Sequence, residues 1–177
     1  MIDNEYIKEL ELSLDTAKLK AVIVNHQYKE RSELVSHQRF VFDDEYMQEL
    51  YKTFPWMGSI YNIYTQKNGQ GFPIHIDAKR ECAVNIPISG VLNSHTIFYE
   101  PDEEIITELS KDERGLYVRS KVKESFRFTL AYPTIINTTR IHSVTVQPNV
   151  DRVIISWGST LNFEDTKKEF NKVLDKK

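Results

Sequence analysis

The sequence predicts a mainly β protein with flanking helices, an antiparallel sandwich or barrel of jelly-roll type. Three observations lead there. Short β-rich runs follow one another through the middle of the chain, no helical pattern alternates with them as βαβ units require, and turn chemistry separates the neighbours. The runs are "SIYNIYT", "PIHIDA", "ECAVNIPIS", "SHTIFYE", "SFRFTLAY", "TIINTT", "IHSVTVQ" and "RVIISWGS". "KNGQG" precedes the second, "GVLN" follows the third and "PNVD" lies between the last two, each carrying residues that tolerate a tight reversal. Residues 101–124, "PDEEIITELSKDERGLYVRSKVKE", interrupt the series as a charged excursion, to be read as a hairpin or as a lid.

The helical signals sit at the two ends. Asp15 is placed to cap "DTAKLKAVIVN", and "DDEYMQELYKTF" opens on Asp43 and Asp44 with Tyr46, Leu50 and Phe54 on one face. "EDTKKEFNKVLDKK" carries a narrow stripe of Phe170, Val173 and Leu174 and ends in lysines that suit a helix C-terminus. All three are expected to cover a core built by the strands. With 177 residues and no linker, repeat or low-complexity tract, the chain is expected to form a single domain over 1–177, its β core spanning about 59–158.

Composition narrows the function classes. A hydrophobic fraction of 40%, a charged fraction of 28% and a net charge of -3 fit a globular protein and argue against nucleic acid as the partner. No run approaches membrane-spanning length, and acids occupy the N-terminal stretch where a signal peptide needs bases. Cys82 is the only cysteine, which leaves no disulfide framework or thiolate cluster and points to a reducing, cytoplasmic setting, with Cys82 as a small buried residue. Nothing in the pattern fixes an oligomeric state.

The chemistry-bearing residues lie within the β-rich core. In a strand, positions i and i+2 share a face, so His75 and Asp77 of "GFPIHIDAKR" present an imidazole and a carboxylate side by side. A third ligand is available in His142, in a late strand that a closed sandwich can return beside an early one. Two histidines and a carboxylate on one face of a metal leave the opposite face open, the facial arrangement used by non-haem Fe(II) oxygenases. Arg152, in the run after His142, offers a guanidinium to an organic acid. A hairpin across "QPNVD" is expected to aim it inward, with Ser156 on the same face. Tyr61 and Tyr64 cannot both face one way. Asn85 either meets a ligand or satisfies backbone groups where Pro87 interrupts the ladder. Arg80 and Arg140, near the ligands in sequence, read as solvated charges ahead of the alternative of binding an anionic substrate, and His26, His37 and His95 as structural or surface residues.

"HID", "IHSV" and Arg152 together resemble the HxD…H…R pattern of the Fe(II)/2-oxoglutarate-dependent oxygenases, over roughly residues 59–158. Within that superfamily, "HIDAKRECAVNIPISG", "IINTTRIHSVTVQ" and "RVIISWG" look most like aspartyl/asparaginyl β-hydroxylase-like phage or bacterial members. "IYTQKNGQGFPIHID" is similar to the prolyl 4-hydroxylase-like approach to the first histidine. Two departures stand out: the aspartyl β-hydroxylases lack a carboxylate where Asp77 stands, and prolyl 4-hydroxylases usually carry lysine where this chain has Arg152. The resemblance implies a double-stranded β-helix (cupin-like) core, and Fe(II) held by His75, Asp77 and His142. It implies 2-oxoglutarate as co-substrate with O2, its distal carboxylate on Arg152 and with Tyr64, Asn85 and Ser156 as further contacts. The implied reaction is hydroxylation of an unidentified substrate, a protein side chain or a small molecule, with release of succinate and CO2. Two alternatives stand beside it: a cupin-like metal enzyme that does not use 2-oxoglutarate, and a non-enzymatic β-sandwich binding module.

Overall fold

The computed structural model describes residues 1–25, 35–41, 44–110 and 115–175. Two six-stranded antiparallel sheets face one another in this part of the chain, with helices on one of them. The strands are β1 (Ile7–Glu9), β2 (Val35–Val41), β3 (Met57–Gln66), β4 (Phe72–Asp77), β5 (Cys82–Ser89), β6 (Ser94–Pro101), β7 (Thr107–Leu109), β8 (Gly115–Val118), β9 (Val122–Phe128), β10 (Thr134–Asn137), β11 (His142–Val146) and β12 (Arg152–Ser159). The helices are α1 (Thr16–Asn25), α2 (Glu45–Thr53) and α3 (Phe163–Leu174). Sheet order is β1-β10-β5-β12-β3-β2 in the first sheet and β7-β8-β4-β11-β6-β9 in the second. This is the jelly roll that the runs and turns predict, in the double-stranded β-helix form that the resemblance implies. Strands adjacent in sequence repeatedly switch sheets, so residues far apart in the chain meet inside.

The first sheet is covered on both faces, so that adjacent residues of one strand enter opposite clusters, as Ile135 and Ile136 of β10 and Ile154 and Ile155 of β12 do. On β12, Ile155 and Trp157 point outward into a cluster with Leu19 and Val22 of α1, Met47 and Leu50 of α2, and Phe163 and Phe170 of α3. Each such side chain, fully buried, contributes about 1.5–3 kcal/mol. The alternate positions Arg152, Ile154 and Ser156 face the space between the sheets. There Ile154 joins Tyr6, Ile7, Phe98, Phe128 and Ile136 in a second cluster. Tyr61 is fully buried in the outer cluster while Tyr64 borders the inner one, as their spacing of three requires.

The helix starts are locally determined. Asp15 Oδ1 accepts from the backbone N–H groups of Ala17 and Lys18, both at 3.0 Å, and Asp44 Oδ1 from those of Tyr46 and Met47 at 2.9 and 3.3 Å. Asp43 lies outside the described residues. Of the expected stripe, Leu50 and Phe54 are buried and Tyr46 is only partly covered, with Met47 joining the buried face. In α3 the buried positions are Phe163, Thr166 and Phe170, and Val173 and Leu174 lie at the margin. No described helix is long and apolar enough to cross a membrane.

Two features differ from the sequence expectation, and a third, the hairpin within 101–124, matches one of its two readings. β1 and β2 add an edge strand at each end of the first sheet, pairing with β10 and β3, where no strand pattern was evident; both are edges, which need little apolar alternation. The 101–124 excursion is a hairpin, β7 with β8, and β8 extends the second sheet by pairing with β4. Finally, β11 and β12 do not form a hairpin. β11 pairs with β4 and β6 in one sheet, and β12 with β3 and β5 in the other. The "QPNVD" turn, with Asn149 at φ 63°, is therefore a corner between sheets.

Candidate metal and anion site

A cavity of about 340 Å³ opens between the sheets, and its lining includes all seven residues singled out in the sequence: Tyr64, His75, Asp77, Asn85, His142, Arg152 and Ser156. Register brings the histidines together. β11 and β4 are antiparallel with His142 directly opposite His75, and directly opposed residues share a face. The ladder shifts between His142 and Val144, where Gly71 lets the start of β4 approach: a Cβ there would stand 2.0 Å from the Val144 carbonyl oxygen. Asp77 follows His75 by two on the same face. One ligand atom from each of His75, Asp77 and His142 lies within 4.8 Å of the others, and the imidazole centroids are 4.3 Å apart.

Both imidazoles are set in the same tautomer by the backbone. His75 Nδ1 lies 2.8 Å from the Pro73 carbonyl oxygen and His142 Nδ1 2.8 Å from that of Arg140. A carbonyl only accepts, so each Nδ1 carries the proton and each Nε2 presents a lone pair, the state a metal-binding histidine needs. His75 Nε2 stands 3.5 Å from Asp77 Oδ1. Burial pushes His142 down to about 4; the positive charge His75 can carry adds to this, against the opposing pull of Asp77. His142 is therefore neutral at pH 7. Burial opposes ionisation of Asp77, but the Arg80 guanidinium donating to Oδ2 outweighs it and holds the carboxyl below the usual carboxylate range.

Arg80 corrects the sequence reading. It is not a solvated charge: its Nε donates to Asp77 Oδ2 at 2.6 Å and its Nη1 to Ser156 Oγ at 2.9 Å. The turn after β4 is pinned to the β10–β11 connection, Asp77 N donating to the Thr138 carbonyl at 3.1 Å and Thr138 Oγ1 to the Arg80 carbonyl at 2.8 Å. That folds Arg80 back over the cavity. Arg140 does lie at the surface, paired with Glu5 at 3.1 Å. His95 is near Thr129 Oγ1 at 3.1 Å and away from the triad; His26 and the His37 side chain lie outside what is described.

Across the cavity, Arg152 is 1% exposed. It sits at the start of β12 beside the turn at Gly90, whose φ of 65° places its α-carbon where a side chain would meet the Asp151 carbonyl. Its Nε donates to Ser94 Oγ at 3.1 Å and its Nη1 to Gln66 Oε1. No carboxylate pairs with it among the described residues, and burial alone draws its pKa down to about 10. The hydroxyl beside Arg152 is thus Ser94, with Ser156 serving Arg80 instead. Asn85 Oδ1 is buried without a hydrogen-bond partner, so of its two expected uses the backbone role leaves that atom unspent. Tyr64 packs edge-on against Phe72, centroids 5.6 Å apart. Sequence reasoning missed Gln66, two positions beyond Tyr64 on the same strand face, and Ser94. It also missed Ser110, Gly115 and Tyr117, which the 101–124 hairpin brings to the cavity wall.

No family model and no curated protein matches the sequence. Solved structures do. A Pseudomonas putida prolyl-4-hydroxylase superposes on 89% of this chain and 95% of its own, with a TM-score of 0.54 and 6% identity. The likeness is one of fold. A Burkholderia pseudomallei oxidoreductase of the 2OG-Fe(II) oxygenase family covers 84% of this chain and 79% of its own, TM-score 0.49 and 11% identity. A vicilin from Solanum melongena matches 78% of this chain over 31% of its own, TM-score 0.44 and 10% identity.

Proposed function

We propose that the chain is an Fe(II)- and 2-oxoglutarate-dependent oxygenase that hydroxylates a substrate at the cavity, releasing succinate and CO2. One observation carries this reading: a two-histidine, one-carboxylate cluster and a buried arginine with no carboxylate partner among the described residues line a single cavity. The donor set suits the metal, because two neutral imidazole nitrogens and one carboxylate fill a facial half of an octahedron. The far end suits the co-substrate, because a buried guanidinium held by two neutral side chains is a ready partner for a carboxylate. The fold shared with the Pseudomonas putida prolyl-4-hydroxylase is in keeping with this.

In this reading His75, Asp77 and His142 hold Fe(II), which when bound supplies O2 activation and the oxidative decarboxylation of 2-oxoglutarate. Arg152 binds the distal carboxylate, and the fixed positions of Ser94 and Gln66 keep its fork from turning away. Asn85, turned half about its last bond, offers an amide N–H2 to the co-substrate, and Tyr64 a phenol. Ser156 accepts from Arg80 and retains its own proton to donate. Phe72, Ile136, Val144 and Ile154 form the apolar part of the wall, which limits water at the reacting centre. The test is succinate formation from 2-oxoglutarate by protein supplied with Fe(II), ascorbate and O2. Slow formation without added substrate is expected for the wild type and none for His75→Ala; equal rates in both contradict the proposal.

A further inference from the structure

The two oxygens of Asp77 are engaged differently. Oδ2 receives Arg80 Nε at 2.6 Å, while Oδ1 faces His75 Nε2 at 3.5 Å. Arg80 cannot simply follow a rotating carboxylate. Its Nη1 is tied to Ser156 Oγ on the opposite sheet at 2.9 Å, and its carbonyl is tied to Thr138 at 2.8 Å. The orientation of Asp77 is thereby referred to two other parts of the fold.

We propose that Arg80 is a positioning residue that holds Asp77 to a single metal-facing oxygen, and so preserves an open coordination position at the triad. The inference rests on the oxygenase reading above. A carboxylate binds a cation through one oxygen or both. With Oδ2 committed to Arg80, the triad contributes two nitrogens and one oxygen, and an octahedral ion keeps the opposite face for a chelating 2-oxo acid and one further small ligand. With Oδ2 released, Asp77 is able to take a second position. The 2-oxo acid then fills what is left, and O2 has no place to bind. Arg80 thus decides what can bind beside the metal rather than whether the metal binds.

That distinction separates the proposal from a merely structural ion pair. Removing Arg80 takes a positive charge from the neighbourhood of the cation and frees a second ligand oxygen, so Arg80→Met is expected to bind Mn(II) as tightly as the wild type or more tightly. Its Mn(II) complex is expected to lose one exchangeable water ligand, counted by electron paramagnetic resonance in ¹⁷O-enriched water. Succinate formation with Fe(II) should fall by about 10- to 100-fold. Weaker Mn(II) binding with an unchanged water count overturns the proposal and leaves Arg80 a structural partner. If Arg80→Met does not fold, Arg80→Lys decides: it keeps the charge but loses the fork to Ser156, and is expected to show the same changes in smaller measure. An Arg80→Lys protein identical to wild type in both water count and turnover also overturns it. Failure of the wild type to bind Mn(II) or 2-oxoglutarate at all indicts the oxygenase reading itself, a result distinguishable from either of these.

Discussion

The two ends of the cavity carry charge in opposite ways. On the second sheet, the Asp77 carboxylate is matched by Arg80 at 2.6 Å and flanked by two imidazoles whose Nδ1 protons are already spent on carbonyls. On the first sheet, Arg152 is buried and, among the described residues, donates to the neutral oxygens of Ser94 and Gln66. In the proposed reading the balanced cluster with inward lone pairs receives a cation, and the unbalanced buried guanidinium receives an anion. Burying a charge without its counter-charge is costly, so the arrangement at Arg152 makes sense as one completed by a ligand.

The largest expected effect strikes the triad. His75→Ala or His142→Ala removes a nitrogen ligand, and metal-dependent succinate formation should drop by about three orders of magnitude, the scale of several kcal/mol of lost metal catalysis. Next comes Arg152→Met. In the Mn(II)-loaded protein it should weaken 2-oxoglutarate binding by about 100-fold, measured calorimetrically, because charge-assisted hydrogen bonds are worth about 1.5–3 kcal/mol. Metal affinity should not change. The same substitution removes an unmatched buried charge but leaves Gln66 Oε1 without its donor, while Gln66 Nε2 and Ser94 Oγ keep the Gln70 and Val91 carbonyls, so the melting temperature of the metal-free protein should change little. A fall in both metal affinity and stability would mean that the two ends are not separate in function.

A third test uses pH. His142 titrates near 4 in the folded protein against 6.5 when unfolded. Between those values the unfolded chain binds more protons, so stability is fully present above about 6.5 and declines as pH falls toward 4. The size is about 3 kcal/mol for the metal-free protein, read from chemical denaturation at several pH values, and His142→Gln should flatten the slope. The smallest effect belongs to Tyr64→Phe, which removes one hydroxyl from the cavity wall and should weaken 2-oxoglutarate binding by about two- to tenfold.

Much of this architecture was legible because it follows from period-two alternation. His75 with Asp77, and Arg152 with Ser156, share faces by spacing alone, and the succession of short strands separated by turns determines the fold class. What spacing cannot convey is which sheet a strand joins. Arg152 was expected beside His142 across a hairpin; it instead faces the triad from the other sheet, and that difference is what gives the cavity two ends. The polar residues at 152 and 156 alternate with Val153, Ile155 and Trp157, a pattern that ordinarily marks a solvent-facing strand side. Only the helices over Ile155 and Trp157 turn the polar face inward. Arg80 was missed for a related reason. Its role depends on Thr138, fifty-eight residues away, which pins the turn and brings a nominally exposed arginine onto Asp77.

The central claim is that one cavity holds a metal at the triad and the distal carboxylate of 2-oxoglutarate at Arg152. Anaerobic titration tests it most directly. Adding Fe(II) and 2-oxoglutarate together should produce a visible metal-to-ligand charge-transfer band that neither gives alone, and that Arg152→Met fails to give at the same concentrations. A wild-type protein that binds Fe(II) yet shows no band at saturating 2-oxoglutarate would contradict the account.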